Sequence, residues 1–362
     1  MSGLGGLFSV LMVGHSLFGQ DGPDMLQEAL RAGQGQAEVQ AQIINGAPLA
    51  YNWAQSADAE GVDARAVLPQ GGTTHLILTE ALPLANHTRW SDSEVYAQAF
   101  FGLAAAAIGS DTGGSVRIPA AWNDLVGLKT TAGRVSLAGT VPLAAKFDTV
   151  GPLCRSVEDA GLLLALLEGE KPADLHESEL EGRRFAVLTN VVMEELSEEP
   201  KAAFEASLEK LRAAGAEIEE IAVPEVEDAM PLSSCLYTTE AYGLWRDVID
   251  ANPEAMFKEI LERFRLGLNF SGPDYVAAWA KLDLARAGYL EATAGYDAVL
   301  VPTAAMLPPN IERLNTDHEF YLAQNLLSLR NTRIANLMGL CALTLPTGTP
   351  SCGISLMAAP MA

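Results

Sequence analysis

Short runs of apolar residues alternate with polar and amphipathic stretches along the first hundred residues. Three runs with the composition of buried β-strands lie at residues 7–13, 39–44 and 74–79. Between the first two runs, residues 23–33 place their apolar side chains on one helical face and end at a glycine. The pattern therefore predicts a βαβ segment over residues 1–100.

The character of the chain changes near residue 100, where glycine and other small residues become dense. Beyond that segment, helical periodicity predicts helices over residues 157–169, 200–214 and 326–338. Apolar runs predict strands over residues 185–189, 217–223, 296–302, 341–345 and 353–358. We expect an α/β protein in which a boundary near residue 100 separates a domain of residues 1–100 from one of residues 101–362.

The charge balance limits the classes of partner. Lys and Arg number 23 against 46 Asp and Glu, which gives a net charge of −23. A field of this sign repels phosphate backbones and anionic lipid surfaces, so we expect no nucleic-acid partner. No uninterrupted apolar run reaches the ~20 residues that span a bilayer, so we expect no membrane insertion. A homo-oligomer is compatible with the sequence but is not indicated by it.

Cysteine usage and the start of the chain bear on the compartment. The four cysteines show no CxxC spacing, which predicts neither a metal cluster nor a disulfide framework. The first basic residue is Arg31, so the apolar start lacks the cationic region of a secretory signal. We expect a cytoplasmic protein without a metal or an organic cofactor.

The segment GSDTGGSVRIPA at residues 109–120 carries the sharpest chemical signal. A serine hydroxyl is a weak nucleophile that needs a base and hydrogen-bond donors aimed at the oxyanion. Gly113 and Gly114 let the backbone curl before Ser115, so that the amides of residues 112–115 can converge on one point. We expect the bend to leave no room for a side chain at either glycine. An isolated GGS is more often a glycine turn with a capping serine, so the wider context decides.

That wider context resembles the amidase signature family. The resemblance rests on GSDTGGSVRIPA, VGLKTTAGRVS, FDTVGPLCRSVED, YDAVLVPTA and NTRIANLMGLCALTLPTG. It covers roughly residues 101–362 and implies a mixed sheet flanked by helices, together with hydrolysis of a small-molecule amide. The roles that it implies are the acylated nucleophile for Ser115, the oxyanion-binding segment for Thr112, Gly113 and Gly114, and loop bracing for Asp111 and Arg117.

The same family uses a lysine base that acts through a second serine in a glycine-rich segment before the nucleophile. The first lysine here is Lys129, in VGLKTT, where the family has a non-catalytic lysine. Ser91 lies at about the right separation from Ser115, but it has no flanking glycines and forms an S-x-x-E capping box with Glu94. Ser91 is therefore a candidate second serine and a candidate helix cap, and the expected base is missing.

The first hundred residues resemble the start of SGNH hydrolases, in FSVLMVGHSLFGQDGPDMLQEAL with IINGAP and LILTEALPLANH downstream. That family places a serine just after the first strand of a flavodoxin-like βαβ segment, which points to Ser16. GHS stands where the family has GDS, and the late Asp-x-x-His block that supplies its base has no counterpart. The chain then joins two incomplete hydrolases near residue 100.

Three functions stay open on this basis. The first is an amidase-type serine hydrolase that uses Ser115, and the second is an SGNH-type esterase that uses Ser16. The third is a non-catalytic chimeric or binding protein. A serine-directed probe distinguishes the three because each predicts a different labelled residue or none.

Overall fold

The computed structural model describes residues 8–14, 37–43, 60–61, 63, 66, 75–78, 106–175 and 179–362. The helix predicted over residues 23–33 lies outside this part of the chain, and so do Ser16 and Ser91.

Four strands form a first sheet: β1 Phe8–Gly14, β2 Ala37–Ile43, β3 Glu60–Gly61 and β4 His75–Leu78. Their spatial order is β3-β2-β1-β4, in which β1 runs parallel to both β2 and β4 while β3 is antiparallel to β2. The three strands predicted in this region are confirmed, with ends one or two residues from the predicted ones.

Eight strands form a second, mixed sheet. They are β5 Ala106–Asp111, β6 Val126–Lys129, β7 Thr149–Cys154, β8 Arg184–Leu188, β9 Glu217–Ile221, β10 Ala298–Pro302, β11 Cys341–Pro346 and β12 Gly353–Ala358. The spatial order is β5-β7-β6-β11-β12-β10-β8-β9. β8 is parallel to β9 and β10, whereas β12 is antiparallel to β10 and β11. The five strands predicted after residue 180 are confirmed as β8 to β12.

Within the described ranges the α-helices are α1 Arg117–Trp122, α2 Val157–Glu168, α3 Glu198–Ala213, α4 Pro224–Ala229, α5 Leu232–Ala251, α6 Lys258–Arg265, α7 Gly272–Thr293, α8 Ile311–Thr316 and α9 His318–Leu337. The three predicted helices are confirmed as α2, α3 and α9, although α9 begins at His318 rather than at residue 326. The sequence reasoning missed α5 and α7. Leu244 and Val248 of α5 and Leu284 of α7 are exposed. Because apolar residues lie on several sides of these helices, their sequences show no single apolar face.

Helices pack on both faces of the second sheet. Ala186 and Leu188 of β8 belong to a core cluster that includes residues of α7 and α9. Phe185 and Val187, the alternate residues of the same strand, belong to another cluster that contains Phe204 of α3. Because successive side chains of a strand point to opposite faces, the sheet lies between two helical layers.

The chain divides into two compact units. The larger comprises Ser110–Ser136, Pro142–Gly151 and Leu175–Ala362, and Ser115 belongs to it. The boundary expected near residue 100 stays a prediction.

Candidate active site

Ser115 lies in a turn between β5, which ends at Asp111, and α1, which begins at Arg117. Gly114 has a φ of +142°, a conformation that L side chains rarely adopt. Its carbonyl accepts a hydrogen bond of 2.8 Å from the amide of Ile118. The backbone is therefore tightly curled, and Ser115 is exposed on it.

The backbone amides beside the Ser115 hydroxyl are available to a ligand. In the part of the chain that the structure describes, the amides of residues 113–115 donate to no other group. The next amide, that of Val116, donates to Asp111 Oδ2 at 3.3 Å. Unengaged N–H groups next to an exposed hydroxyl are what the binding of a tetrahedral oxyanion requires.

The two glycines of the turn differ in the space around them, which corrects the expectation that neither could carry a side chain. A Cβ on Gly114 would lie 2.1 Å from Thr332 Oγ1 and 2.8 Å from Ile118 Cδ1. A Cβ on Gly113 would meet nothing closer than Leu329 Cδ2, at 3.9 Å. Only Gly114 is sterically required, because only its Cα faces helix α9 at such close range.

Asp111 and Arg117 form a buried ion pair beneath the turn. Arg117 Nε donates to Asp111 Oδ2 and Nη2 donates to Oδ1, each at 3.0 Å, and both side chains have 0% exposure. Asn336 of α9 donates to Asp111 Oδ1 at 2.9 Å, and the Thr332 carbonyl accepts from Arg117 Nη1 at 2.7 Å. This bidentate, hydrogen-bonded pair ties both ends of the turn to one helix.

The electrostatics of the pair favour the ionised carboxylate. Burial by itself raises the pKa of Asp111, but the charge and hydrogen bonds of Arg117 outweigh burial and hold that pKa below its ordinary value of 3.8. The carboxylate is therefore charged at neutral pH and stays paired with the guanidinium.

Asp148 holds the other side of the turn. Thr112 Oγ1 donates to Asp148 Oδ1. The same carboxylate accepts from the amide of Leu143 at 2.8 Å and from that of Ala144 at 3.2 Å. The Thr112 side chain is thereby fixed, while its backbone continues into the turn at Gly113.

Lys129 is buried away from the Ser115 hydroxyl. Its Nζ donates to the carbonyls of Thr130 at 2.9 Å and of Leu340 at 2.8 Å, and the residue is 1% exposed. Burial, reinforced by the positive charge of Arg117, lowers its pKa from 10.5 to about 7. In its neutral form the amine has two N–H bonds, for which these two carbonyls are the acceptors.

None of the described residues supplies a base to Ser115. No histidine, lysine or carboxylate among them hydrogen-bonds its hydroxyl. The candidate second serine, Ser91, and the alternative nucleophile, Ser16, both lie outside the described residues. Their roles stay predictions.

The sequence reasoning missed three residues that hold the turn: Asp148, Thr332 and Asn336. All three stand in segments that carried the family resemblance, FDTVG and NTRIAN. Thr332 and Asn336 are four positions apart on a helix, and that spacing places both on one face. The four-residue spacing is the sequence signal from which a shared helix face could have been predicted.

Three further features of the described residues bear on other kinds of chemistry. No group of three His, Cys, Asp or Glu side chains there could hold a metal ion. No described helix has both the length and the apolar character needed to cross a bilayer. All four cysteines are free and buried.

Comparison with known proteins identifies a family whose sequences match most of this chain. The model of the family described as Amidase matches residues 100–361. The 2-amino-5-chloromuconic acid deaminase of Comamonas testosteroni is 34% identical over 272 residues, which are 72% of this chain and 58% of that protein. The glutamyl-tRNA(Gln) amidotransferase subunit of Chlorobium limicola is 32% identical, over 69% of this chain and 60% of that protein.

A solved structure agrees with these relatives. The crystal structure of an amidase superposes with a TM-score of 0.63 at 31% identity, covering 72% of this chain and 60% of the other. The chain thus spans about three-fifths of the length of the proteins that it matches. The family match begins at residue 100, and nothing supports an SGNH relationship for the residues before it.

Proposed function

Since the chain belongs to the amidase family, we propose that it hydrolyses a carbon–nitrogen bond of a small-molecule amide through an acyl-enzyme on Ser115. The observation that carries this proposal is the braced turn, in which Gly114 with its positive φ and a buried ion pair present an exposed serine beside unengaged amides.

The reaction has two stages. Ser115 Oγ attacks the amide carbonyl carbon and loses its proton, and the N–H groups of residues 112–115 bind the oxyanion that forms. The C–N bond then breaks, the amine leaves with a proton, and the acyl group stays on Oγ as an ester. Water attacks this ester, releasing the carboxylic acid and restoring the hydroxyl.

The buried ion pair serves this chemistry by holding the turn in place. An oxyanion hole stabilises the transition state only if its donors are fixed before charge develops. Arg117 and Asp111 supply that fixity from below the turn, and Thr112 supplies it from one side through Asp148.

Activation of the serine is the open step of the proposal. A hydroxyl without a base keeps only a part of the catalytic rate, which the oxyanion hole and substrate binding provide. Ser91 is the candidate to relay a proton from Ser115. We expect slow turnover if no group before residue 106 takes up that proton.

Two alternatives remain from the sequence. An SGNH-type esterase would use Ser16, which lies outside the described residues. A non-catalytic chimera or binding protein would use neither serine. The cytoplasmic location, the join near residue 100 and a homo-oligomeric state also stay predictions.

A fluorophosphonate probe followed by peptide mapping tests the proposal. The probe should label Ser115, and Ser115→Ala should abolish both this labelling and amide hydrolysis. Ser197→Ala is the matched control, because the Ser197 side chain makes no cap hydrogen bond at the start of α3. Labelling of Ser16 alone would favour the esterase. Absence of any labelled serine would favour the non-catalytic protein. Hydrolysis by Ser115→Ala at the parental rate would eliminate the amidase proposal.

A further inference from the structure

One face of helix α9 packs against the turn that carries Ser115. Thr332 and Asn336 of this face hydrogen-bond the turn and its buried ion pair, and Leu329 borders the space beside Gly113. The three residues are spaced three and four positions apart. Arg333 is at position i+4 of the same series, counted from Leu329. Side chains with this spacing share one face of a helix, so Arg333 lies on the side of α9 that faces the turn.

The guanidinium of Arg333 has no partner in the described part of the chain. Its side chain is half-buried, yet it makes no hydrogen bond and no ion pair with any described residue. Arg330, on the same helix, is in contrast satisfied by the Val192 carbonyl at 3.1 Å and by Asn331 at 3.0 Å. Burial lowers the pKa of Arg333, and the nearby charge of Arg263 lowers it further. A partly desolvated cation without an anion is unfavourable, so this position favours a negatively charged ligand.

A second unsatisfied group lies close to it. The hydroxyl of Tyr237, on α5, is buried without a hydrogen-bond partner among the described residues. Burial raises the pKa of this phenol, which therefore remains a neutral donor, and Arg333 acts on it electrostatically. A buried hydroxyl that lacks a hydrogen-bond partner is destabilising, so a ligand atom that accepts from it would be favoured at this position.

Tyr237 is held in place from the side of the turn. Its ring packs edge-on against Phe147, with 4.5 Å between ring centroids. Phe147 directly precedes Asp148, whose carboxylate binds the Thr112 hydroxyl. Tyr237 is thus connected through packed side chains to one side of the turn, and Arg333 lies on the helix that supports the other.

We propose that Arg333 and Tyr237 form a carboxylate-binding subsite, and that Ser115 acts on amides whose acyl portion carries a free carboxylate. The guanidinium fork matches the two oxygens of a carboxylate, and the phenol adds a third donor. The inference rests on the proposed function, because the subsite is defined relative to Ser115. The net charge of −23 repels anions in general, so selection of one requires a local cation of this kind.

Binding to the Ser115→Ala protein tests the subsite without requiring catalysis. The probes are succinamate, which has an amide at one end and a carboxylate at the other, and butanamide, its neutral analogue. Calorimetry should show that Arg333→Met weakens succinamate binding about 10- to 100-fold and leaves butanamide binding unchanged. Arg333→Lys keeps the charge but loses the two-pronged guanidinium. Its affinity for succinamate should lie between those of the Ser115→Ala parent and the Arg333→Met variant. Tyr237→Phe should weaken succinamate binding to a smaller extent.

Arg330→Met is the matched control, since it removes an arginine of the same helix that is already satisfied. It should leave succinamate binding unchanged, and urea unfolding of each variant checks that the fold persists. Equal succinamate affinity with and without Arg333, or no succinamate binding by the folded Ser115→Ala protein, would overturn the subsite. The fluorophosphonate labelling of Ser115 tests the proposed function independently of this binding experiment. Succinamate binding that depends on Arg333, without labelling of Ser115, would retain the subsite and reject the amidase chemistry.

Discussion

Single residues of the Ser115 turn differ sharply in what they tolerate. Gly114 is confined by Thr332 and Ile118 and has a positive φ, whereas Gly113 has ordinary space beside it. The GG pair reads as two equivalent glycines in the sequence. In the folded chain Gly114 is a steric requirement, whereas the position of Gly113 has room for a Cβ.

A pair of alanine substitutions tests this difference. Gly114→Ala should destabilise the protein by several kcal/mol and abolish probe labelling of Ser115, because the turn must move away from α9. Gly113→Ala should change the free energy of unfolding by less than about 1 kcal/mol. Urea unfolding measures both variants. Equal losses in the two would show that the close contact with Thr332 does not limit the turn.

The buried amine of Lys129 makes stability depend on pH. Its pKa is about 7 in the folded chain, against 10.5 when it is exposed. Below pH 7 both states hold the proton, and the penalty for burying the charge is fully present. Between the two pKa values only the unfolded chain stays protonated, so stability should rise with pH by up to about 1.4 kcal/mol per pH unit.

Lys129→Met should remove this contribution. The difference in unfolding free energy between parent and variant, measured in urea at pH 7, 8 and 9, should shift in favour of the parent as the pH rises. Lys201→Met, on the exposed side of α3, is the control and should keep the parental slope. A pH-independent difference for Lys129→Met would contradict a buried amine that loses its proton.

Helices determine how these residues meet. α9 supplies Thr332 and Asn336 to the turn, and Arg117 reaches that helix across a sequence separation of 219 residues. The predicted helix at residues 326–338 included these contact residues but carried no sign of the element that they would contact. A helical period identifies a face, and it does not identify the partner of that face.

The ends of the helices provide a test of the local rules. Ser271 and Asp274 form a capping box at the start of α7, in which the Ser271 hydroxyl accepts from the Asp274 amide at 3.2 Å and Asp274 Oδ2 accepts from the Ser271 amide at 2.8 Å. Ser271→Ala should lower the free energy of unfolding by about 1 kcal/mol. Ser197→Ala, at an N-cap without such a bond, should change it by less than about 0.5 kcal/mol. Urea unfolding compares the two, and equal effects would argue against the box.

At the scale of the whole molecule, the family match covers the larger part of the chain and leaves the first 99 residues outside it. The match spans residues 100–361, and the aligned part of the chain covers about three-fifths of the length of its relatives. The turn is complete in its strand, its two glycines, its exposed serine and its buried ion pair. The partner that would activate the serine is the part that the described residues do not supply.

Local patterns were enough to predict much of this protein. The strands β8 to β12 followed from short apolar runs, and the role proposed for Ser115 followed from the GGS motif within its longer context. These features depend on neighbouring residues and on backbone conformation, which a linear pattern records. The long helices α5 and α7 escaped prediction because their apolar residues are not confined to one side.

Contacts between distant segments could be established only in three dimensions. Asn336 donates to Asp111 across 225 positions, and Thr332 distinguishes Gly114 from Gly113. That Arg333 and Tyr237 lack partners among the described residues is likewise visible only after packing has placed their neighbours. Hydrophobicity is a property of a single residue and can be read from the sequence. A hydrogen bond, a steric clash or the lack of a partner depends on which residues the fold brings together.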